Sequence, residues 1–171
     1  GTSKARLYHY FPSKEALLFD ALDRYTRRLA ERVQAVAAQR LPPRAELTEL
    51  VRTLMREYRD SRAYHVALLN DVKFLSPQQR ERIKAQEREV VDALGRTLAR
   101  VAPQRFGGPG SRPATMALLG MINFTFAWLR PDGPMTYEQY ADLVVDLWLN
   151  GAVSPAAPIA TPKPTIVSEP Q

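Results

Sequence analysis

Apolar residues recur three and four positions apart through almost the whole chain, and no stretch alternates polar and apolar residues between turn signals as a strand would. A chain patterned this way folds as helices packed on helices, so the expected class is all-α. Over residues 14–39, Leu18, Leu22, Tyr25, Leu29, Val33 and Val36 share one face. Ser13 stands where a side-chain oxygen caps the first turn, and Glu15 sits at the positive end of the helix dipole. Pro42 and Pro43 close that helix. The next carries Leu47, Leu50, Val51, Leu54, Met55 and Tyr58 in one stripe, and a weak joint at Asp60 and Ser61 leads into a shorter helix over 64–75.

Ser76-Pro77-Gln78-Gln79 has the form of a capping box with proline at the first helical position. It opens a highly charged helix with Ile83, Val90, Val91, Leu94, Leu98 and Val101 on one side, ended by Pro103. Residues 106–113, FGGPGSRP, read as a flexible loop; no strand precedes the glycines, so a phosphate-cradling loop is the weaker interpretation. Two further helices are expected over 113–130 and 136–150, the second opened by Thr136 with Gln139 and stopped by Asn150-Gly151. Both are apolar around most of their circumference, which calls for cover on every side. One face can meet the chain's own core and the other a second copy. A homodimer is therefore expected, with Met116, Gly120, Phe124, Tyr140, Val144, Leu147 and Trp148 at its interface; a simple central helix is the alternative. The proline-rich residues 152–171 are expected to be a disordered tail.

Composition narrows the function classes. The chain has 171 residues, 45% of them hydrophobic, enough for a true core. It has no cysteine, so disulfides and thiolate metal sites are excluded, and a cytoplasmic location fits. The longest nearly apolar run, 116–129, falls short of the roughly 20 residues that cross a bilayer, and no membrane span is expected. The two histidines, His9 and His65, have neither a carboxylate nor a second histidine at metal-ligand spacing, and no Gly-x-Ser-x-Gly turn occurs. Neither catalysis nor a metal or cofactor is expected. Residues 1–44 hold nine bases against four acids, +5 of the formal net charge of +6. Such a front end is either a phosphate-binding surface or a solvated basic face.

The segment GTSKARLYHYFPSKEALLFDAL, residues 1–22, resembles the second half of the helix-turn-helix of the TetR family of transcriptional repressors: a turn glycine, a short recognition helix with a Leu-Tyr-x-x-Phe core, and the Ser-Lys-Glu start of a long connecting helix. Leu7 and Phe11, four apart, share a face and can pin a helix over residues 4–10 to the body. The resemblance implies that residues 1–13 belong to the DNA-binding domain. Lys4, Ala5 and Arg6 would face base edges, Tyr8 and Tyr10 phosphate or thymine methyl, and Lys14 phosphate, with Thr2 and Ser3 at the helix start. His9 either joins that surface or packs against the neighbouring helix. Arg6 is the candidate for bidentate recognition of guanine. Because the motif includes two helices ahead of the recognition helix, a DNA-binding form is expected to need about 45 to 50 residues before Gly1.

The same resemblance makes residues 14–151 a ligand-binding and dimerisation domain, whose effector pocket would draw on Tyr58, His65, Asn70, Asn123, Thr125 and Trp128. For each of these a satisfied core hydrogen bond or plain aromatic packing is the alternative. The stretch from 118 to 151 is similar to the C-terminal halves of TetR-type regulators of fatty-acid, phenylacetate and steroid breakdown, whose effectors are often acyl-CoA thioesters. That likeness implies an apolar acyl pocket, with Arg59, Arg62 or Lys73 meeting phosphates at its mouth. The expected partners are operator DNA, a small-molecule effector and a second copy of the chain. The competing function is an all-α dimeric scaffold whose DNA binding is weak and indifferent to sequence.

Overall fold

The computed structural model describes residues 11–153. Thr2, Ser3, Lys4, Ala5, Arg6, Tyr8, His9 and Tyr10, and residues 154–171 of the expected tail, lie outside the described residues. Seven α-helices and two 3-10 turns make up the described fold: α1 (Lys14–Ala37), α2 (Pro43–Asp60), α3 (Arg62–Asp71), a 3-10 turn (Val72–Phe74), α4 (Pro77–Val101), α5 (Pro103–Phe106), α6 (Ser111–Asn123), a second 3-10 turn (Phe124–Ala127) and α7 (Tyr137–Val153).

The helix starts follow local chemistry. The Ser13 hydroxyl accepts from the Ala16 amide at 3.1 Å. At α4 the Ser76 hydroxyl accepts from the Gln79 amide while the Gln79 carboxamide accepts from the Ser76 amide. Thr136 and Gln139 repeat that reciprocal pair. Each pair satisfies two of the amide donors that a helix start leaves open.

Helix α1 ends at Ala37 rather than at 39, α3 spans Arg62–Asp71 rather than 64–75, and three further boundaries differ from the sequence expectation. Pro113 lies inside the first turn of α6, which begins at Ser111; in that turn the missing N–H has no helical partner to lose. At the other end α6 stops at Asn123 and tightens into the 3-10 turn, so no single helix runs through 113–130. Helix α7 continues through Gly151 to Val153, and the glycine has no positive φ that would mark a left-handed cap. Residues 152 and 153, expected to open the tail, are therefore helical.

The core runs through the middle of the bundle. Leu22, Tyr25, Val33, Leu47, Leu50, Leu54, Met55, Ile83, Leu94, Leu118 and Ile122 are almost completely enclosed. Helix α4 packs against α1, α2 and α6, and α2 lies along α7. Polar links fix the same contacts: buried Glu46 of α2 accepts from Thr97 at 2.6 Å and from Arg100 at 2.7 Å, both on α4. Arg52 of α2 forks onto Asp142 of α7 at 2.6 and 2.8 Å. Where α4 crosses α6, Gly95 leaves room for Thr115; a Cβ there would stand 3.2 Å from the Thr115 hydroxyl.

Candidate functional site: a polar cavity behind the connecting helix

A cavity of about 70 Å³ opens where α1, α2, α3, α4 and α6 converge. Its centre is His65 of α3, 2% exposed. The His65 ring stacks on Tyr58 with centroids 3.8 Å apart and meets Phe126 edge-on. Its Nε2 lies 3.0 Å from the backbone carbonyl of Asn123, and its Nδ1 lies 3.2 Å from the Tyr25 hydroxyl. A carbonyl only accepts, so Nε2 carries the proton and Nδ1 accepts from Tyr25. Both ring nitrogens are thus satisfied in the neutral imidazole. Burial holds the His65 pKa below its ordinary value, with the Asn123 carbonyl opposing. Tyr58 donates to the Asn123 side-chain oxygen at 2.8 Å. Burial pushes the Tyr25 and Tyr58 hydroxyls well up, so both remain neutral donors.

Four elements are joined by this set: Tyr25 comes from α1, Tyr58 from α2, and Asn123 from the end of α6, with His65 of α3 between them. On the opposite wall Thr26 bonds the Leu22 carbonyl at 2.9 Å and the Gln86 carboxamide. Gln86 donates to Asp23, which also receives both arms of the Arg82 guanidinium at 2.7 and 2.9 Å. Those bonds hold the Asp23 carboxyl below its usual pKa although burial opposes them. Glu87 completes the lining. Burial raises its carboxyl above the ordinary range, against the pull of Lys84, and no described residue donates to it.

Of the six pocket residues expected from sequence, Tyr58, His65 and Asn123 line this cavity. Asn70 does not: it is exposed, and its amide returns to the Val66 carbonyl one turn back on α3. The Thr125 hydroxyl is buried but spent on the Ile122 carbonyl, and Trp128 is half exposed on the outside. Tyr25, Thr26 and Glu87 were absent from the expectation. The bases proposed for the mouth are engaged elsewhere: Arg59 pairs with Asp60 and Glu138, and Arg62 donates to the Phe126 carbonyl. Lys73 lies over the Phe74 ring.

Outside the cavity, an open groove of about 440 Å³ lies between α4 and α6, shares Val91 with the cavity wall, and is lined by Arg96, Arg112 and the Gly107-Gly108-Pro109 loop. Lys14 is exposed in the first turn of α1. On the far side, Met116, Phe124, Trp128 and Leu147 are 50%, 62%, 50% and 54% exposed. Gly120 is exposed between them, and Trp128 meets Tyr140 edge-on at 4.9 Å, bringing α7 against the end of α6. Two of the residues expected there make contacts within the chain. Val144 is enclosed in the chain's own core, and Trp148 packs on Phe106. Tyr140 is half buried and donates to the Met121 carbonyl.

The family profile described as tetracyclin repressor-like, C-terminal domain, matches residues 40–152. The chain belongs to the TetR family. Among solved TetR-family structures, a transcriptional regulator from Bordetella parapertussis is 33% identical, with a TM-score of 0.82 over 86% of this chain and 78% of that one. The regulator PfmR from Thermus thermophilus is 30% identical, with a TM-score of 0.77 over 88% and 82%. AibR, solved in complex with isovaleryl coenzyme A and operator DNA, is 26% identical, with a TM-score of 0.73 over 85% and 80%. No curated protein matches the chain significantly. The protein is therefore a TetR-family transcriptional regulator, of a class that binds DNA and small ligands and is typically not enzymatic. Among the described residues no helix is long and apolar enough to cross a membrane.

Proposed function

We propose that this TetR-family protein is a homodimeric repressor, and that a small acyl group presented as a coenzyme A thioester releases it from operator DNA. The observation that carries this reading is the placement of His65: it forms a wall of the cavity and also holds Tyr25 of α1, the helix that leads from the DNA-binding end. A ligand entering beside His65 must displace or rotate a ring whose two nitrogens tie α1 to the end of α6. The effector acts only through a difference in affinity between the two positions of α1.

The cavity has room for about two water molecules in this state. It suits a short acyl end, with the carrier outside. Arg96 and Arg112 in the adjoining groove stand where the phosphates of that carrier would meet bases, a role that Arg59 and Arg62 do not serve. The likeness to AibR supports the thioester. At the front end, residues 1–13 with Lys14 make the DNA contacts, and Arg6 reads a guanine. Replacing Arg6 by alanine costs specificity at one base pair, while replacing Lys14 weakens binding to all sequences alike. The exposed apolar stripe of α6 and α7 is covered by a second copy, which sets the spacing of the two DNA-reading ends.

Thermal shift with isovaleryl-CoA, free CoA and isovalerate tests the effector, followed by gel shift on DNA from the regulated promoter with a form that carries the two helices expected before Gly1. The thioester should raise the melting temperature more than either fragment and dissolve the DNA complex. Equal shifts with free CoA and the thioester would defeat the proposal.

A further inference from the structure

The cavity has an unequal inventory of hydrogen-bonding groups. The donors on its wall are largely committed: His65 to the Asn123 carbonyl, Tyr58 to the Asn123 side-chain oxygen, and Thr26 to Leu22, while Tyr25 behind the wall donates to His65. Glu87 differs, because it lines the same space and its carboxyl, partly buried, receives no bond from a described residue. It stands close enough to Tyr58 for its charge to push that hydroxyl's pKa further up. The Asn123 amide nitrogen also has no described partner. One acceptor and one donor are thus left on a lining whose other polar groups, Thr26, Tyr58 and His65, are bonded within the fold and whose remainder is apolar.

The Glu87 carboxyl and the Asn123 amide nitrogen keep contact with solvent in the empty protein, and a wholly apolar ligand filling the cavity would strip that solvent without replacing its bonds. A ligand carboxylate beside it would add like-charge repulsion with no committed donor to offset it. A hydroxyl has the chemistry complementary to the carboxyl, to which it donates. We propose that the effector's buried end is uncharged and carries a hydrogen-bond donor, a hydroxyl above all, which Glu87 accepts, and that Glu87 excludes free carboxylates from the cavity. This rests on the cavity being the effector site and names the class of acyl group that the site takes.

The test is calorimetric titration of the full chain with 3-hydroxybutyryl-CoA, butyryl-CoA and butyrate, and with the two acyl groups as N-acetylcysteamine thioesters, which keep the acyl end and lack the phosphates. Wild type should bind the hydroxyacyl form of each carrier about tenfold more tightly than the plain acyl form, with butyrate weakest. Glu87→Leu should reverse the preference, and Glu87→Gln, which keeps an acceptor without the charge, should retain part of it and admit butyrate. Thioesters of both carriers that bind with no hydroxyl preference, or a preference untouched in Glu87→Leu, would overturn the role of Glu87 and leave the thioester reading standing. A preference seen equally with both carriers, without any gain from coenzyme A, would overturn coenzyme A as the carrier in the proposed function and keep Glu87. No binding of any compound would overturn both.

Discussion

The cavity wall and the outer face of α6 and α7 depart from the usual distribution of side chains in opposite senses. Around His65 the protein encloses two tyrosine hydroxyls, an imidazole and a carboxamide, and pairs them with one another. Across the outer face it leaves Met116, Phe124, Trp128 and Leu147 half or more exposed, although buried neighbours such as Leu118 and Ile122 show that α6 has a core-facing side of its own. Enclosed polar groups cost free energy unless bonded, and a contiguous exposed apolar patch costs free energy until something covers it. Each anomaly therefore points to a partner, but of a different kind. A small molecule exploits the first, because it can trade bonds within a closed set. A second copy suits the second, because only a large, rigid surface covers two helices at once.

The comparison is broken most severely at the outer face. Phe124→Glu combined with Leu147→Glu puts two charges on the patch without touching an enclosed residue, and should halve the mass measured by light scattering while leaving helical content unchanged. A mass equal to wild type would show that these side chains are not covered by a second copy.

At the cavity the expected effect is smaller and falls on stability. His65→Leu puts an apolar side chain of similar volume in its place and leaves the Tyr25 hydroxyl and the Asn123 carbonyl without their partner. The cost should be about 2 to 4 kcal/mol in urea unfolding. The same residue sets a pH dependence. Its folded pKa lies below the unfolded value of 6.5, so the unfolded chain takes up a proton first as the pH falls. The contribution is complete above 6.5 and is lost on acidification, at up to about 1.4 kcal/mol per pH unit. Wild type should thus lose stability between pH 7 and 5.5 more steeply than His65→Leu. Parallel curves would mean that the histidine is not held neutral.

How much of this was legible in the sequence follows from the range of the interactions involved. The bundle could be read because helix faces and capping boxes are local: Ser76 with Gln79 and Thr136 with Gln139 are three residues apart, and both bond as the spacing implies. Pro113 misled because proline is excluded from helix interiors but tolerated in the first turn, and sequence does not say which turn is first. At the cavity, Tyr58, His65 and Asn123 stood out as polar groups in apolar stretches, whereas Tyr25 was hidden within the regular stripe of α1. Its hydroxyl matters only because His65, 40 residues away, meets it. Asn70 and Trp128 had the same credentials in sequence but face outward, a choice made by the packing of neighbouring helices. Glu87 was camouflaged among the charges of α4.

Glu87 gives the smallest expected effect, and it separates stability from recognition within the cavity itself. Its folded pKa is raised by burial, so below the ordinary value of 4.5 the carboxyl is protonated in both states and carries no penalty. As the pH rises through the folded value, the unfolded chain has already released its proton, and the native state is left either holding a proton or enclosing a charge. Its contribution is therefore lost toward neutral pH. Glu87→Gln has no such term. The variant should match wild type near pH 4.5 and be more stable at pH 7.5, by on the order of 0.5 kcal/mol once solvent screening at a partly exposed site is allowed for. Melting temperatures at the two pH values measure this directly. A gain at neutral pH would mean that the native carboxyl is kept against its cost to folding, which a purely structural residue would not explain but a ligand that supplies the missing hydrogen bond would. A variant less stable than wild type at pH 7.5 would show that Glu87 already has a partner within the fold and that the two sides of the cavity are alike.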